Sequence, residues 1–414
     1  MKKRIIASLV ALSFAAPAAF AQDAASSVKI SGFGTGALTW TDTDQAEFAR
    51  FNQVSGVKKN PRTGVDSNLG LQADYAVNDW LSFTGQGLVR KDAQDDYGAE
   101  LTWAFAKFKL SEALSVRVGR TALPGFMISD YRNVGYANTM LRPPQEVYSQ
   151  IPLNSIDGVD VTWRREFGDT NLTVQLGFGR SAADIMGGSR ATASGMSTIN
   201  LAAEHGPFTL RLAHTRAKVT VENLQPFPAL QAAFYGAGAA LQMPQLNAMG
   251  NLLDYHERKS TFSSVGLAVD WNDIVAQSEY AQRKFDNYAN GTTSWYVMGG
   301  YRFGKFLPYA SHAELKTKSD FANTVPTACP AGYPAVCTTT VQTLYGTMEA
   351  LRAATLGMSQ TTDSVGLRWD AFRSAAIKVQ IDRVKPQGAG LFVNAQPGFH
   401  GPVTVGAVAV DFVF

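Results

Sequence analysis

PVTVGAVAVDFVF, residues Pro402 to Phe414, alternates apolar side chains along its length and stops on an aromatic carboxyl terminus. Phe414, Phe412, Val410 and Val408 fall on one face of a strand; Val413, Asp411, Ala409 and Ala407 fall on the other. An ordinary sheet can hold such a strand, but ending on its outermost aromatic residue leaves no tail. A barrel in an outer membrane finishes this way, its last strand closing onto its first.

The opposite end bears on compartment. Lys2, Lys3 and Arg4 precede a small, apolar stretch from Ile5 to Phe20, and Ala19-Phe20-Ala21 reads as a cleavage site before Gln22. Residues 1–21 are therefore expected to be a cleaved secretory signal peptide, and 22–414 a single domain. Of 37 Lys plus Arg, three lie in this leader, which brings the remainder level with the 34 Asp plus Glu. With no basic run and no net excess, nothing points to nucleic acid as a partner. Beyond the leader no apolar run reaches eighteen residues, so no spanning helix is expected. The 37 glycines, 24 phenylalanines, 14 tyrosines and 7 tryptophans suit many alternating strands better than a helical core.

Period-two segments recur in pairs. Val28 to Trp40 comes first, then Asn68 to Val77 with Leu81 to Arg90, and Glu100 to Leu110 with Leu114 to Arg120. Val159 to Glu166 pairs with Asn171 to Gly179, Thr198 to Glu204 with Phe208 to Thr215, and Thr261 to Trp271 with Ile274 to Phe285. Ser294 to Phe303 pairs with Phe306 to Leu315, Asp363 to Trp369 with Ala375 to Val384, and Val403 to Phe414 closes. This predicts sixteen strands whose seven tight joints alternate with eight longer polar ones; a slip of one hairpin would give fourteen or eighteen. A soluble sandwich has no reason to sort its loops by parity. The fold class expected is all-β, a transmembrane antiparallel β-barrel.

The faces sort chemistry as a water-filled barrel requires. Val159, Val161 and Trp163 alternate with Asp160, Thr162 and Arg164, and Ile377, Val379 and Ile381 with Lys378, Gln380 and Asp382. The apolar set suits lipid and the charged set a wet lumen. Trp80, Trp271 and Trp369 lie at tight turns, where an interfacial girdle would stand.

The third long connection and its flanks, GRTALPGFMISDYRNVGYANTMLRPPQEVYSQIPLNSIDGVDVTW from Gly119 to Trp163, resemble the constriction loop and neighbouring strands of Gram-negative outer-membrane porins. The likeness is more generic at the GFGTG of the first strand and at Phe414. It implies a homotrimer of sixteen-stranded channels in outer-membrane lipid, each pore narrowed by an inward-folded third loop, with no cofactor. The long fifth and seventh loops depart from the general pattern.

Physical reasoning leads to the same loop. A barrel of this size is too wide to discriminate solutes, so selectivity needs an internal obstruction. A loop stiffened by Pro124, Pro143, Pro144 and Pro152 would supply it. It carries Asp130, Arg132, Arg142, Glu146 and Asp157, opposite wall positions Lys29, Arg90, Arg117 and Arg164. Opposed charges of this kind would set up a transverse field acting on polar solutes. The plainer reading is that they solvate the lumen or pair among themselves. Function is thus expected to be passive diffusion of ions and small hydrophilic solutes. The alternative is a channel selective for small anions such as carboxylates or phosphate, since guanidinium groups grip these bidentately.

Cys329 and Cys337, eight residues apart in the seventh loop, read as a loop-closing disulfide in an oxidising compartment. The five histidines fall in no HExxH or GxSxG motif, which leaves a barrel hydrolase as a distant alternative and the chain as no enzyme. Asp92, Asp95 and Asp96 read as an exposed loop rather than a metal site.

Overall fold

The alternating segments join edge to edge in one closed antiparallel sheet, each strand hydrogen-bonded to its sequence neighbours and the last to the first. This computed structural model describes residues 28–288 and 291–414; the expected leader lies outside them. The strands are β1 (Val28–Thr41), β2 (Asn68–Ala76), β3 (Leu81–Lys91), β4 (Tyr97–Lys109), β5 (Leu114–Ala122), β6 (Ser155–Phe167), β7 (Thr170–Ile185) and β8 (Ser189–His205). The circuit continues with β9 (Phe208–Glu222), β10 (Arg258–Trp271), β11 (Ile274–Phe285), β12 (Gly291–Tyr301), β13 (Phe306–Lys318), β14 (Gln360–Phe372), β15 (Ala375–Pro386) and β16 (Val403–Val413). Closure pairs Phe33 with Val413 and Thr41 with Val405. Because every strand has two partners, no edge is left unpaired in lipid.

Parity holds around the wall. Val159, Leu210, Val265, Val297, Val365 and Ile381 are exposed on the outer face. Asp160, Gln175, Asn200, Gln380 and Asp411 point inward and are buried. At the end with the short turns, Trp80, Phe167, Phe208, Trp271, Phe303 and Trp369 stand exposed, with Trp80 stacked near Phe108 and Phe306 near Trp369. A ring of this kind is what an aromatic girdle at a membrane interface requires.

On the other side, loop lengths differ from the expectation. Residues 180–197 were expected as a loop, yet β7 and β8 stay paired up to Ile185 with Ser189. β9 follows this ribbon outward, pairing Arg190 with Glu222 and Ala193 with Val219, and Ala183, Ala191 and Ala193 extend the inward-facing apolar set. The long connections are L1 (42–67), L3 (123–154), L5 (223–257), L7 (319–359) and L8 (387–402). L3 holds the short helix α1 (Gln145–Tyr148), L5 holds α2 (Phe227–Ala240) and α3 (Pro244–Leu252), and L7 holds α4 (Ala335–Leu356). No described helix is long and apolar enough to cross a membrane.

L5 and L7 share one apolar core. Phe234, Leu246 and Met249 pack with Val341, Leu344 and Met348, and with Tyr288 from the connection after β11. The Cys329–Cys337 disulfide, with Cα atoms 6.0 Å apart, ties the start of α4 into this cap. L1 folds inward separately, setting Ala46, Phe48 and Val57 against Val403 and Val405 on the inner face of β16 and against Phe392 of L8.

Candidate pore constriction

L3 leaves β5, crosses the lumen and returns to β6 without touching all walls equally. Its outward limb is held on the β8–β11 side: Asn200 donates to the Pro124 carbonyl (3.1 Å), Ser264 to that of Gly125 (2.7 Å) and Arg211 to that of Met127 (2.7 Å). Glu279 accepts from the Met127 amide (3.0 Å) and from the Tyr148 hydroxyl (2.6 Å), joining both limbs of the loop. Around these bonds Phe126, Met127, Val147 and Tyr148 pack against Phe262, Tyr296, Met298 and Tyr309 of the inner wall. Each fully buried large side chain of this kind contributes roughly 1.5–3 kcal/mol, so this half of the lumen is filled as a protein core.

The loop tip is seated on the seam of the barrel. Lys378 of β15, wholly buried, pairs with Asp411 of β16 (2.8 Å) and donates to the carbonyls of Gly135 (2.8 Å), Asn138 (2.6 Å) and Met140 (3.1 Å). A Cβ on Gly135 would collide with the Asp411 carboxylate and the Thr35 hydroxyl, so the tip needs glycine there. Arg368 adds bonds to the Tyr136 and Asn138 carbonyls (2.8 and 2.9 Å).

Two charged residues expected at the pore are buried anchors instead. Arg142 bridges Asp66 of L1 (2.8 Å) and Asp382 of β15 (2.6 Å), with its guanidinium over the Phe48 ring. Burial alone would raise the Asp66 pKa, but Arg142 and Arg50 outweigh it and hold the carboxyl below its usual range. Glu146 is buried behind L3, accepting from Gln360 (2.6 Å) and Thr362, and burial raises its pKa. A loop charge looks solvated in sequence; here the partners lie 76 to 240 residues away along the chain.

The open space lies on the other side of L3. A chamber of about 340 Å³ is bounded by Arg90, Glu100, Arg120, Asp130, Arg132 and the β7–β8 ribbon. A second, of about 650 Å³, runs toward the short turns past Lys107, Arg117, Tyr131, Arg164 and Arg211. Trp103 of β4 and Asp130 of L3 line both. Basic side chains outnumber acidic ones in each chamber.

Most of the charges are paired. Arg90 meets Glu100 (3.0 Å), Arg117 grips Asp160 through two bonds (2.9 and 3.0 Å), and Arg120 grips Asp157 (2.6 and 2.7 Å). Arg132 and Lys107 have no described carboxylate within ion-pair distance. Arg132 bonds Asn154 and is lowered to about 9 by burial and by the neighbouring guanidinium groups of Arg90 and Arg50. Lys107 has Arg164 and Arg117 for charged neighbours. Lys107, Trp103 and Arg211 were missed in sequence, although the parity that places Arg117 inside also places Lys107, its register partner, there. Lys29 and Arg164 sit near the short-turn end, Lys29 opposite Asp74.

A family model for Gram-negative porins matches residues 7–320. The chain belongs to the Gram-negative porin family. It is accordingly an outer-membrane β-barrel protein, and its short turns mark the periplasmic side of this porin. No curated protein matches it in sequence. Among solved structures it is similar to the outer membrane channel DcaP of Acinetobacter baumannii, at 11% identity over 95% of this chain and 99% of that one, with a TM-score of 0.58. An anion-selective porin from Comamonas acidovorans is similar at 13% identity over 94% and 100%, with a TM-score of 0.53. OmpT of Vibrio cholerae in a trimer form is similar at 12% identity over 94% and 100%, also at 0.53. At these identities the likeness shows the fold alone.

His214 bonds Ser263 (2.8 Å) and His312 bonds Asp363 (2.6 Å), but no described histidine joins a serine to a carboxylate. No described group of three or more His, Cys, Asp or Glu side chains is placed to hold a metal. Asp92 caps its own turn by accepting from Gln94 N (2.9 Å), and Asp95 pairs with Lys91 (2.6 Å).

Proposed function

We propose that this porin is a passive, water-filled channel for ions and small hydrophilic solutes, assembled as a homotrimer and preferring small anions. Solutes enter the upper chamber between L3 and β3–β5, pass the gap between Trp103 and Asp130, and leave past Lys107 and Arg164. Movement is down a gradient and needs no cofactor or chemical step.

The observation that carries the anion preference is the position of Arg132 above the gap and Lys107 below it. Neither forms an ion pair with a described carboxylate: Lys107 has only cationic neighbours, and Arg132 has Arg90 and Arg50 beside it with Glu100 the one nearby carboxylate that acts on it. Charge left uncompensated in a narrow, low-dielectric passage raises the local concentration of counter-ions. The Comamonas acidovorans porin is anion-selective and Vibrio cholerae OmpT has a trimer form, which agrees with this reading. Asp130, Glu100, Arg90, Arg117 and Arg132 then act at or beside the constriction, while Arg142 and Glu146 hold the loop that makes it.

The test is the reversal potential of the purified protein in planar bilayers across a potassium chloride gradient. The wild type is expected to favour chloride, and Lys107→Glu with Arg132→Gln to lose or invert that preference. Wild-type selectivity for potassium, or a double variant that behaves as wild type, would defeat the proposal.

A further inference from the structure

Apolar side chains facing the lumen of an aqueous channel need a cover. Those of β10–β13 have one, because L3 packs on them. On the extracellular half of β7–β9 the cover is incomplete. Ile185, Ala191, Ala193, Val219 and Val221 face inward, and Leu123, Ile151 and Leu153 of L3 reach their lower edge. Above that edge lies a cleft of about 190 Å³, closed at the far side by Tyr255, Phe262 and Phe285. Its lining is almost wholly apolar, unlike that of the two chambers on the solute path.

One charge enters it. Arg283 of β11 lines the cleft and is held by a single bond, from its Nη1 to the Gln150 carbonyl (3.2 Å). Its buried Nε has no hydrogen-bond partner, and no described carboxylate lies within ion-pair distance of it. Arg117, Arg211, Arg368 and Lys378, the other cations on walls that L3 touches, each have one. Gln150 beside it, itself buried, leaves its Oε1 without a partner. A partly buried guanidinium with unused donors, next to an unfilled apolar surface, fits a ligand with an anionic head and an apolar tail.

We propose that this cleft binds an organic monocarboxylate bearing an aromatic or short aliphatic group, the carboxylate on Arg283 and the tail on Ala191, Ala193, Val219 and Leu153. The size agrees: an apolar cavity of about 150 Å³ holds a benzene ring. The cleft opens beside the upper chamber, so a bound molecule waits on the extracellular side of the constriction. The proposal rests on the channel reading only for the route by which the ligand arrives.

Calorimetric titration of the detergent-solubilised protein with phenylacetate, against a detergent blank, tests it. Saturable one-to-one binding is expected in the wild type, with acetate and benzyl alcohol each weaker because one lacks the ring and the other the charge. Arg283→Gln is expected to weaken phenylacetate binding at least about tenfold, and Ala193→Phe, which fills the cleft without touching the charge, to do the same. Retention of the folded barrel's gel mobility accompanies each variant, and either variant alone suffices if the other fails to fold. No wild-type binding, binding unchanged by the folded variants, or acetate binding as tightly as phenylacetate would overturn the proposal. Conductance of the same wild-type preparation in plain potassium chloride tests the channel reading separately: a protein that binds but does not conduct sinks that reading and leaves this one.

Discussion

The two halves of this lumen follow one alternation rule and do opposite things with it. On β10–β13 the inward positions include Phe262, Tyr296, Met298, Leu307, Tyr309 and Ala313, and L3 packs on them in one apolar cluster. On β3–β7 the inward positions include Gln86, Arg90, Lys107, Arg117, Asp160 and Gln175, and the space in front of them stays open. The contrast teaches that an internal loop chooses its side by the wall's chemistry. L3 is an off-centre plug, and the passage is what it leaves free.

The largest expected effect comes from breaking the seat of the loop tip. Lys378→Met leaves Asp411 buried without its partner and is expected to cost about 3–5 kcal/mol, read as an earlier thermal transition with larger, noisier single-channel conductance. Lys378→Met with Asp411→Leu removes both charges and should recover most of the loss; a double variant no better than the single one would mean that the three L3 carbonyls, not the ion pair, set the cost.

Next come matched aromatic truncations on the two sides. Phe126→Ala, in the packed half, is expected to lose about 3 kcal/mol or more. Trp103→Ala, at the gap, should leave the thermal transition nearly in place and raise conductance. Equal stability losses would erase the distinction between the halves.

A smaller effect follows from pH. The Asp66 carboxyl is held below its ordinary value of about 3.9, so the Arg142–Asp66 link is fully present above that value and is lost as pH falls through the lowered one. Thermal stability of the wild type should therefore drop more steeply below about pH 4 than that of Asp66→Asn, which lacks the titrating group. The smallest change is expected for Glu146→Gln. Gln retains an acceptor for Gln360 and Thr362 and spares the buried carboxyl its charge, so stability at neutral pH should stay within about 1 kcal/mol.

How much of this was legible in the sequence follows from how far each signal travels. Strands, their number and their faces were legible because alternation is local, and Gly168, Gly206 and Gly304, with φ near +60°, mark the tight turns. The side on which L3 lies was legible in principle but missed. Trp295-Tyr296-Val297-Met298 is apolar on both faces, and in a barrel with lipid on only one side the second apolar face must meet protein. The β7–β8 ribbon was mistaken for a loop because its inward residues are alanines, whose hydrophobic signal is weak. Arg142 and Glu146 looked like pore charges because loop charges usually meet water. Their burial depends on Asp66, Asp382, Gln360 and Thr362, which no local pattern connects to them. Lys107 needed only its register with Arg117, a pairing that the parity of β4 and β5 already implied.

The place of Gly135 against Thr35 and Asp411 has a consequence for the order of assembly. Thr35 and Asp411 stand at opposite ends of the chain and become neighbours only when β1 meets β16. Lys378 and Asp411 already stand together on the β15–β16 hairpin, but the Thr35 wall of the seat is added only at that moment. Full seating of the loop tip therefore waits on closure of the barrel, whereas Phe126 and Tyr148 can already pack on β10–β13 before the two ends of the chain meet.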